Sequence, residues 1–195
     1  MKLTLKNFMP FVAGLALLTS CENCETPTTA QLTLEDTNWL AYVNPVPSDG
    51  KPDTIRFTNE VNATIKFVRT QLHSATVPGD GYSFEDKCIE QMDTQASSVI
   101  QDVARKMPGL AVSILRKPAD LKVHLLVDGL GVYEIDEQNP THPSLTVNNK
   151  VYANVFEVNV PGNDNDNKGK VKQILFNKTD GFIKVDFYGG KHLQL

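Results

Sequence analysis

Between Leu121 and Val127 the chain alternates in a way that admits one backbone geometry. Leu121, Val123, Leu125 and Val127 take one parity and Lys122 and His124 the other, with Leu126 as the exception. Alternate side chains of an extended strand point to opposite faces, so a period of two marks a sheet with one face buried. The run Leu110-Ala111-Val112-Ser113-Ile114-Leu115 precedes it. Arg116-Lys117-Pro118-Ala119-Asp120 joins the two, with Pro where a type I turn needs a fixed φ. The pair predicts a hairpin. Asp180-Gly181 sets a second one between Ile174-Leu175-Phe176 and Phe182-Ile183-Lys184-Val185, and Gly189-Gly190 turns the chain again toward Leu193-Gln194-Leu195.

The same pattern of β-branched and aromatic runs divided by turn residues predicts strands at 37–43, 53–58, 63–69, 110–116, 121–128, 132–135, 144–147, 151–160, 171–177 and 182–188. Links this short favour antiparallel pairing. One stretch reads two ways. Val99, Ile100, Val103, Ala104 and Met107 stand at helical spacing before Pro108-Gly109, whereas Ser97-Ser98-Val99-Ile100 suits a strand. The fold class that follows is mainly β, an antiparallel sandwich or a partly closed barrel, with room for one short helix.

The first twenty-one residues obey a different logic. Lys2 and Lys6 make a charged start, residues 8–18 an apolar segment, and Leu18-Thr19-Ser20-Cys21 a lipidation box. The apolar segment is far short of the roughly 20 residues a spanning helix needs, so it reads as a cleaved leader. Cys21 supplies the thiol that takes a diacylglyceryl group, and Ser20 the small residue the peptidase requires. Several acyl chains anchor stably where a single one binds marginally. The organisation expected is a lipoprotein signal peptide at 1–20, a lipidated tether at 21–31 whose composition lacks large apolar groups, and a single β-rich domain at 32–195.

The formal net charge is −4, and removing Lys2 and Lys6 with the leader makes the remainder more acidic, without any basic cluster. Nucleic acid is not an expected partner. With Cys21 acylated, Cys24 and Cys88 are the remaining thiols, in a compartment where disulfides persist. Two readings stand open: a Cys24–Cys88 bridge tying the domain close to its anchor, or a buried apolar Cys88 with Cys24 in an exposed tether.

Chemistry is sparse. Asp164-Asn165-Asp166-Asn167-Lys168-Gly169 begins like a calcium loop, but counting from Asp164 puts Lys168 at a ligand position and Leu175 where a closing Glu belongs. His73, His124, His142 and His192 lie apart without metal spacing, so no metal is expected. His142, between Pro140 and Pro143, reads as a loop residue. Cys88 has no neighbouring histidine and there is no Gly-x-Ser-x-Gly elbow. Glu85 and Asp86 are adjacent and so would point to opposite faces of a strand, which does not suit a shared acid/base cleft. Gly129-Leu130-Gly131 reads as a turn. Trp39, Tyr42, Phe57 and Phe67 are core candidates first and a binding surface second.

Val151-Tyr152-Ala153-Asn154-Val155-Phe156-Glu157-Val158, then Val171-Lys172-Gln173-Ile174-Leu175-Phe176, Asp180-Gly181-Phe182-Ile183-Lys184-Val185-Asp186 and Leu193-Gln194-Leu195 resemble the C-terminal hairpin of Bacteroidetes-type lipoproteins of unknown function. Trp39 and Tyr42 have the spacing of an aromatic pair found early in such proteins, without the glycine that commonly precedes it. The resemblance implies a β-rich cell-envelope protein with no catalytic residue to carry over. It also implies that Glu22 and Glu25, close behind Cys21, act as a weak export signal toward the cell exterior.

The functional expectation is a non-catalytic binding or interaction module, anchored at the outer membrane through Cys21 and facing the periplasm or the exterior, with a glycan or envelope protein as partner and no cofactor. The alternative is a lipocalin-like carrier, whose sheet would close around an apolar cavity lined by Trp39, Phe67 or Leu125. A hydrolase assembled from distant residues would need clustered His and carboxylate side chains.

Overall fold

A computed structural model of the chain describes residues 24–42, 54–83 and 85–195; the leader, Cys21 and Glu22 lie outside them. Of the chain, 54% is strand and 4% helical. The elements are β1 (Thr28–Thr29), α1 (Leu34–Thr37) with a 3-10 turn (Asn38–Leu40), β2 (Thr54–Thr58), β3 (Thr64–Pro78), β4 (Gln91–Asp102), β5 (Leu110–Arg116), β6 (Leu121–Val127), β7 (Gly131–Ile135), β8 (His142–Val147), β9 (Lys150–Asn159), β10 (Val171–Asn177), β11 (Gly181–Phe187) and β12 (His192–Gln194).

Strands pair in the order β7-β6-β5-β4-β3-β2-β12-β11-β10-β9-β8, antiparallel throughout, with β1 added parallel to β4. The sheet curls strongly into a half-barrel. Its two ends, β7 and β8, are consecutive in the chain and joined by residues 136–141 alone. A link that short spans at most about 25 Å, so the curl must bring the two edges near each other.

The predicted alternation places the core. Leu110, Val112 and Ile114 of β5 and Leu121, Val123, Leu125 and Val127 of β6 turn inward and are buried. Phe57 and Phe67 meet edge to face at 5.1 Å, and Phe176 and Phe182 at 5.6 Å. Asn154, at φ +50°, kinks β9. Residues 150–155 pair with β8 and residues 156–159 with β10. The first half of β9 therefore parts from β10 while keeping β8, and a second small core forms there, Tyr152 and Val155 with Leu175 and Ile183.

Four expectations need correction. Of the strand expected at 37–43, residues 37–40 are helical, 41–42 are irregular and Val43 lies outside the described residues: Thr33 caps α1, its Oγ1 accepting from the Asp36 N–H at 3.1 Å while its own N–H donates to the Asp36 carboxylate at 2.8 Å. That reciprocal capping box outweighs the β-leaning residues after it. The helical reading of 94–107 gives way to β4, because Thr94, Ala96, Ser98, Ile100 and Asp102 alternate inward. The Asp102 carboxylate then closes the turn that follows, accepting from the N–H groups of Ala104, Lys106 and Met107. β3 runs well beyond residue 69, to Pro78.

The fourth concerns the segment read as an unpacked tether. Cys24 is joined to Cys88 by a disulfide, Cα to Cα 5.5 Å. The Thr28 and Ala30 N–H groups donate to the Glu90 and Met92 carbonyls at 3.0 and 2.9 Å. Residues 24–30 are thus fastened to the sheet, which composition alone could not show because backbone pairing needs no apolar side chain.

Candidate functional site

One end of the half-barrel carries the β5–β6 turn, the β10–β11 turn and the 136–141 link, and the α1 segment lies across it. Trp39 is the hinge of this arrangement. It is 2% exposed, tilted against Phe156 at 5.2 Å and stacked over Phe176 at 6.5 Å. Lys178, from the β10–β11 turn, covers the ring with its Nζ 4.3 Å from the centroid. A buried aromatic face with a cation on it is a stable pair, since the ring quadrupole attracts the ammonium.

Two clefts open beside this pair and share Trp39, Glu137, Gln138 and Lys178. One, of about 420 Å³, is walled by Pro140, Asn154, Phe156 and Thr179. The other, of about 380 Å³, reaches Asp36, Arg116 and Asp120. Arg116 Nε lies 3.7 Å from the Asp36 carboxylate, which ties the capped helix to the β5–β6 turn and fixes one wall. Among the described residues Lys178 has the Trp39 ring as its partner and no ion pair. The clefts therefore share an apolar floor, the Lys178 ammonium, the Glu137 carboxylate and the Gln138 amide, to which one adds the Asn154 amide and the other the charges of Asp36, Arg116 and Asp120. That chemistry hydrogen-bonds a hydroxyl-rich or mixed polar ligand.

A second polar cluster sits on the kinked strand. His142 opens β8, and its Nε2 is hydrogen-bonded to the Glu157 carboxylate. Glu157 Oε1 accepts from Gln173 at 2.7 Å and Asn159 at 2.8 Å, and its N–H donates to Thr141 Oγ1 at 3.1 Å. The His142 contact, above all, holds the Glu157 carboxyl below its usual range. Such a couple can hold and pass a proton. Sequence reading placed His142 in a loop. Its partner is fifteen positions away, brought to it by the β8–β9 register, and no short-range spacing signals that.

The other singled-out residues fall elsewhere. Phe57, Phe67 and Leu125 are completely buried in the core. Tyr42 is half-buried, and its Oη accepts from the Phe182 N–H at 2.8 Å. His73, His124 and His192 lie on β3, β6 and β12. His124 faces Glu134 at 3.9 Å. The side-chain oxygens of the Asp164–Gly169 loop are engaged by its flanks: Asp166 accepts from Asn163 Nδ2, Asn167 from Lys170 Nζ and Asp164 from the Gly189 N–H, while Asn163 Oδ1 accepts from the Asn165 and Asp166 N–H groups. Among the described residues no group of His, Cys, Asp and Glu has metal-binding geometry. Asp86 accepts from the Ser83 N–H at 2.6 Å, beside a cleft of about 480 Å³ next to Cys88.

No helix among the described residues is long and apolar enough to cross a membrane. Comparisons with protein-family models, with curated proteins and with solved structures return no match.

Proposed function

We propose that this chain is a lipid-anchored cell-envelope protein whose β domain is a non-catalytic binding or interaction module at the outer membrane, facing the periplasm or the exterior. The observation that carries the binding reading is the pair of clefts over Trp39, where Lys178, Glu137, Gln138 and Asn154 surround a buried aromatic floor. A glycan, or a polar segment of an envelope protein, matches that lining. Anchoring rests on the leader and the Leu18-Thr19-Ser20-Cys21 box, and the likeness to Bacteroidetes-type lipoproteins points the same way. A carrier with a lipocalin-like cavity has less support, because Phe67 and Leu125, which would line it, are packed into the core.

A glycan array probed with the whole chain and with Lys178→Ala tests the binding site. Binding that the variant weakens supports the clefts as the site; binding that ignores Lys178→Ala removes them. For the anchor, labelled palmitate should enter the native chain and not Cys21→Ala, and label in the variant would overturn the assignment.

One observation favours a second reading, hydrolysis: the His142–Glu157 couple is the His and carboxylate pairing that such chemistry uses. Turnover on a panel of esters and glycosides, abolished by His142→Ala, would establish it.

A further inference from the structure

Very little free chain separates Cys21 from the body of the domain. Cys24 is bridged to Cys88 in the β3–β4 loop, and Thr28 and Thr29 pair with Gln91 and Met92 at the start of β4. Between Cys21 and Cys24 stand Glu22 and Asn23 alone. Three Cα steps span at most about 11 Å. A glyceryl group on the Cys21 thiol sits where hydrocarbon meets headgroups, and the headgroup layer is about 5–8 Å deep. Acylation of Cys21 therefore holds the Cys24–Cys88 bridge just outside that layer.

The bridged loop belongs to the same end of the half-barrel as the Trp39 clefts. β3 ends at Pro78 opposite Met92, and Thr94, two positions on, faces Arg116 at the end of β5. Lys117 of the β5–β6 turn is ion-paired with Asp80 of the loop. Arg116, Ala119 and Asp120 wall one of the clefts, and Arg116 holds Asp36 of α1. Contacts thus run without a break from the bridge to the cleft. The turns at 103–109 and 128–130 lie at the opposite end of β4, β5 and β6.

We propose that the cleft end is the face this domain turns to the bilayer, and that the partner it fits is the headgroup layer of the leaflet holding Cys21; this rests on the acylation proposed above. A free tether over 21–31 would let either end approach the membrane, whereas fastening residues 24–30 leaves one end in reach. The loop carries Glu85, Asp86 and Glu90 against Lys87, so anionic lipid repels it and neutral headgroups, zwitterionic or sugar-bearing, suit it. The Trp39 clefts then lie at the headgroup surface, where a glycan carried on a lipid reaches them.

Hydrogen exchange of the acylated chain in phosphatidylcholine vesicles, set against Cys21→Ala in solution, reads the orientation. Amides of residues 79–90 and 117–120 should exchange several-fold more slowly on the vesicles, and those of 103–109 and 128–130 at the same rate in both. Trp39 is the single tryptophan of the chain, so energy transfer from it to a dansyl-labelled headgroup reports the same geometry. Cys24→Ser with Cys88→Ser frees the chain as far as Thr28, a reach of about 25 Å. Measured against the same variant carrying Cys21→Ala, which cancels any loosening of the fold, it should lose most of the protection and of the transfer. Protection at 103–109 or 128–130 in place of 79–90, or exchange that anchoring leaves unchanged throughout, overturns the proposal. So do signals that the double serine variant keeps. A chain that takes up no labelled palmitate removes the anchor and the proposal with it, whereas an acylated chain without the expected pattern removes the proposal alone.

Discussion

Tyr42 Oη accepts the backbone N–H of Phe182 at 2.8 Å, across 140 positions of sequence. A Cβ built on the neighbouring Gly181 would lie 2.2 Å from that same oxygen. The phenol thus seats on a bare stretch of backbone at the start of β11, while the Tyr42 carbonyl accepts from Arg69 of β3 at 2.6 Å. The bend just after the 3-10 turn thus bridges β11 and β3, which β2 and β12 separate in the sheet.

Gly181→Ala should therefore be among the more damaging glycine substitutions. The residue sits at φ +77°, where a Cβ is strained, and the added methyl occupies the Tyr42 hydroxyl position. Together these predict a loss of about 1–3 kcal/mol, read as a lower urea midpoint at unchanged slope. An unchanged midpoint would mean that Tyr42 does not sit there.

Burial pushes the Tyr42 phenol well above its ordinary value of 10.0. The sign follows from linkage. Below pH 10 both states keep the proton and the stability is fully present; above it the unfolded chain ionises first, so stability falls as pH rises toward the folded value. Tyr42→Phe removes this residue's share of that alkaline slope. At neutral pH it also leaves the Phe182 N–H without its acceptor, a loss of about 1–3 kcal/mol. Urea melts between neutral and alkaline pH separate the two effects.

The Cys24–Cys88 bridge closes a separation of 64 residues. Crosslinks over loops of that size contribute about 2–4 kcal/mol. Cys88→Ser, or reduction of the native chain, should lower the melting temperature and raise proteolysis within residues 24–30, which β1 alone then holds. A melting temperature indifferent to reductant would remove the bridge.

How much of this was legible in the sequence depended on whether a residue's neighbours along the chain were also its neighbours in space. β5 and β6 were readable because one face is buried and the other wet, and their turn carries Pro118. The upper half of β3 was not, since residues 70–74 are exposed on both faces and only Ala75 and Val77 beyond them turn partly inward. α1 does carry a signal, the Thr33-Leu34-Glu35-Asp36 capping pattern, which the β-leaning aromatic residues after it mask. Trp39 was recognisable as a core residue, but its cover by Lys178 was not, because the two are joined only by the closure of the sheet.

The His142–Glu157 contact gives a prediction at acidic pH that also bears on function. Hydrogen bonds from His142 and then Asn159 hold the Glu157 carboxyl below the ordinary value of 4.5. A depressed carboxyl contributes stability that is present above the unfolded value and is lost as pH falls through it toward the folded one. Stability should therefore decline below about pH 4.5, and Glu157→Gln, which keeps the hydrogen-bonding shape without the charge, should flatten that part of the profile. His142→Ala separates structure from chemistry. If the couple only fastens β8 to the kinked β9, the variant loses the acid dependence and local exchange protection, and ligand binding at the Trp39 clefts persists. If it moves protons for a reaction, turnover disappears while the urea midpoint at neutral pH changes little.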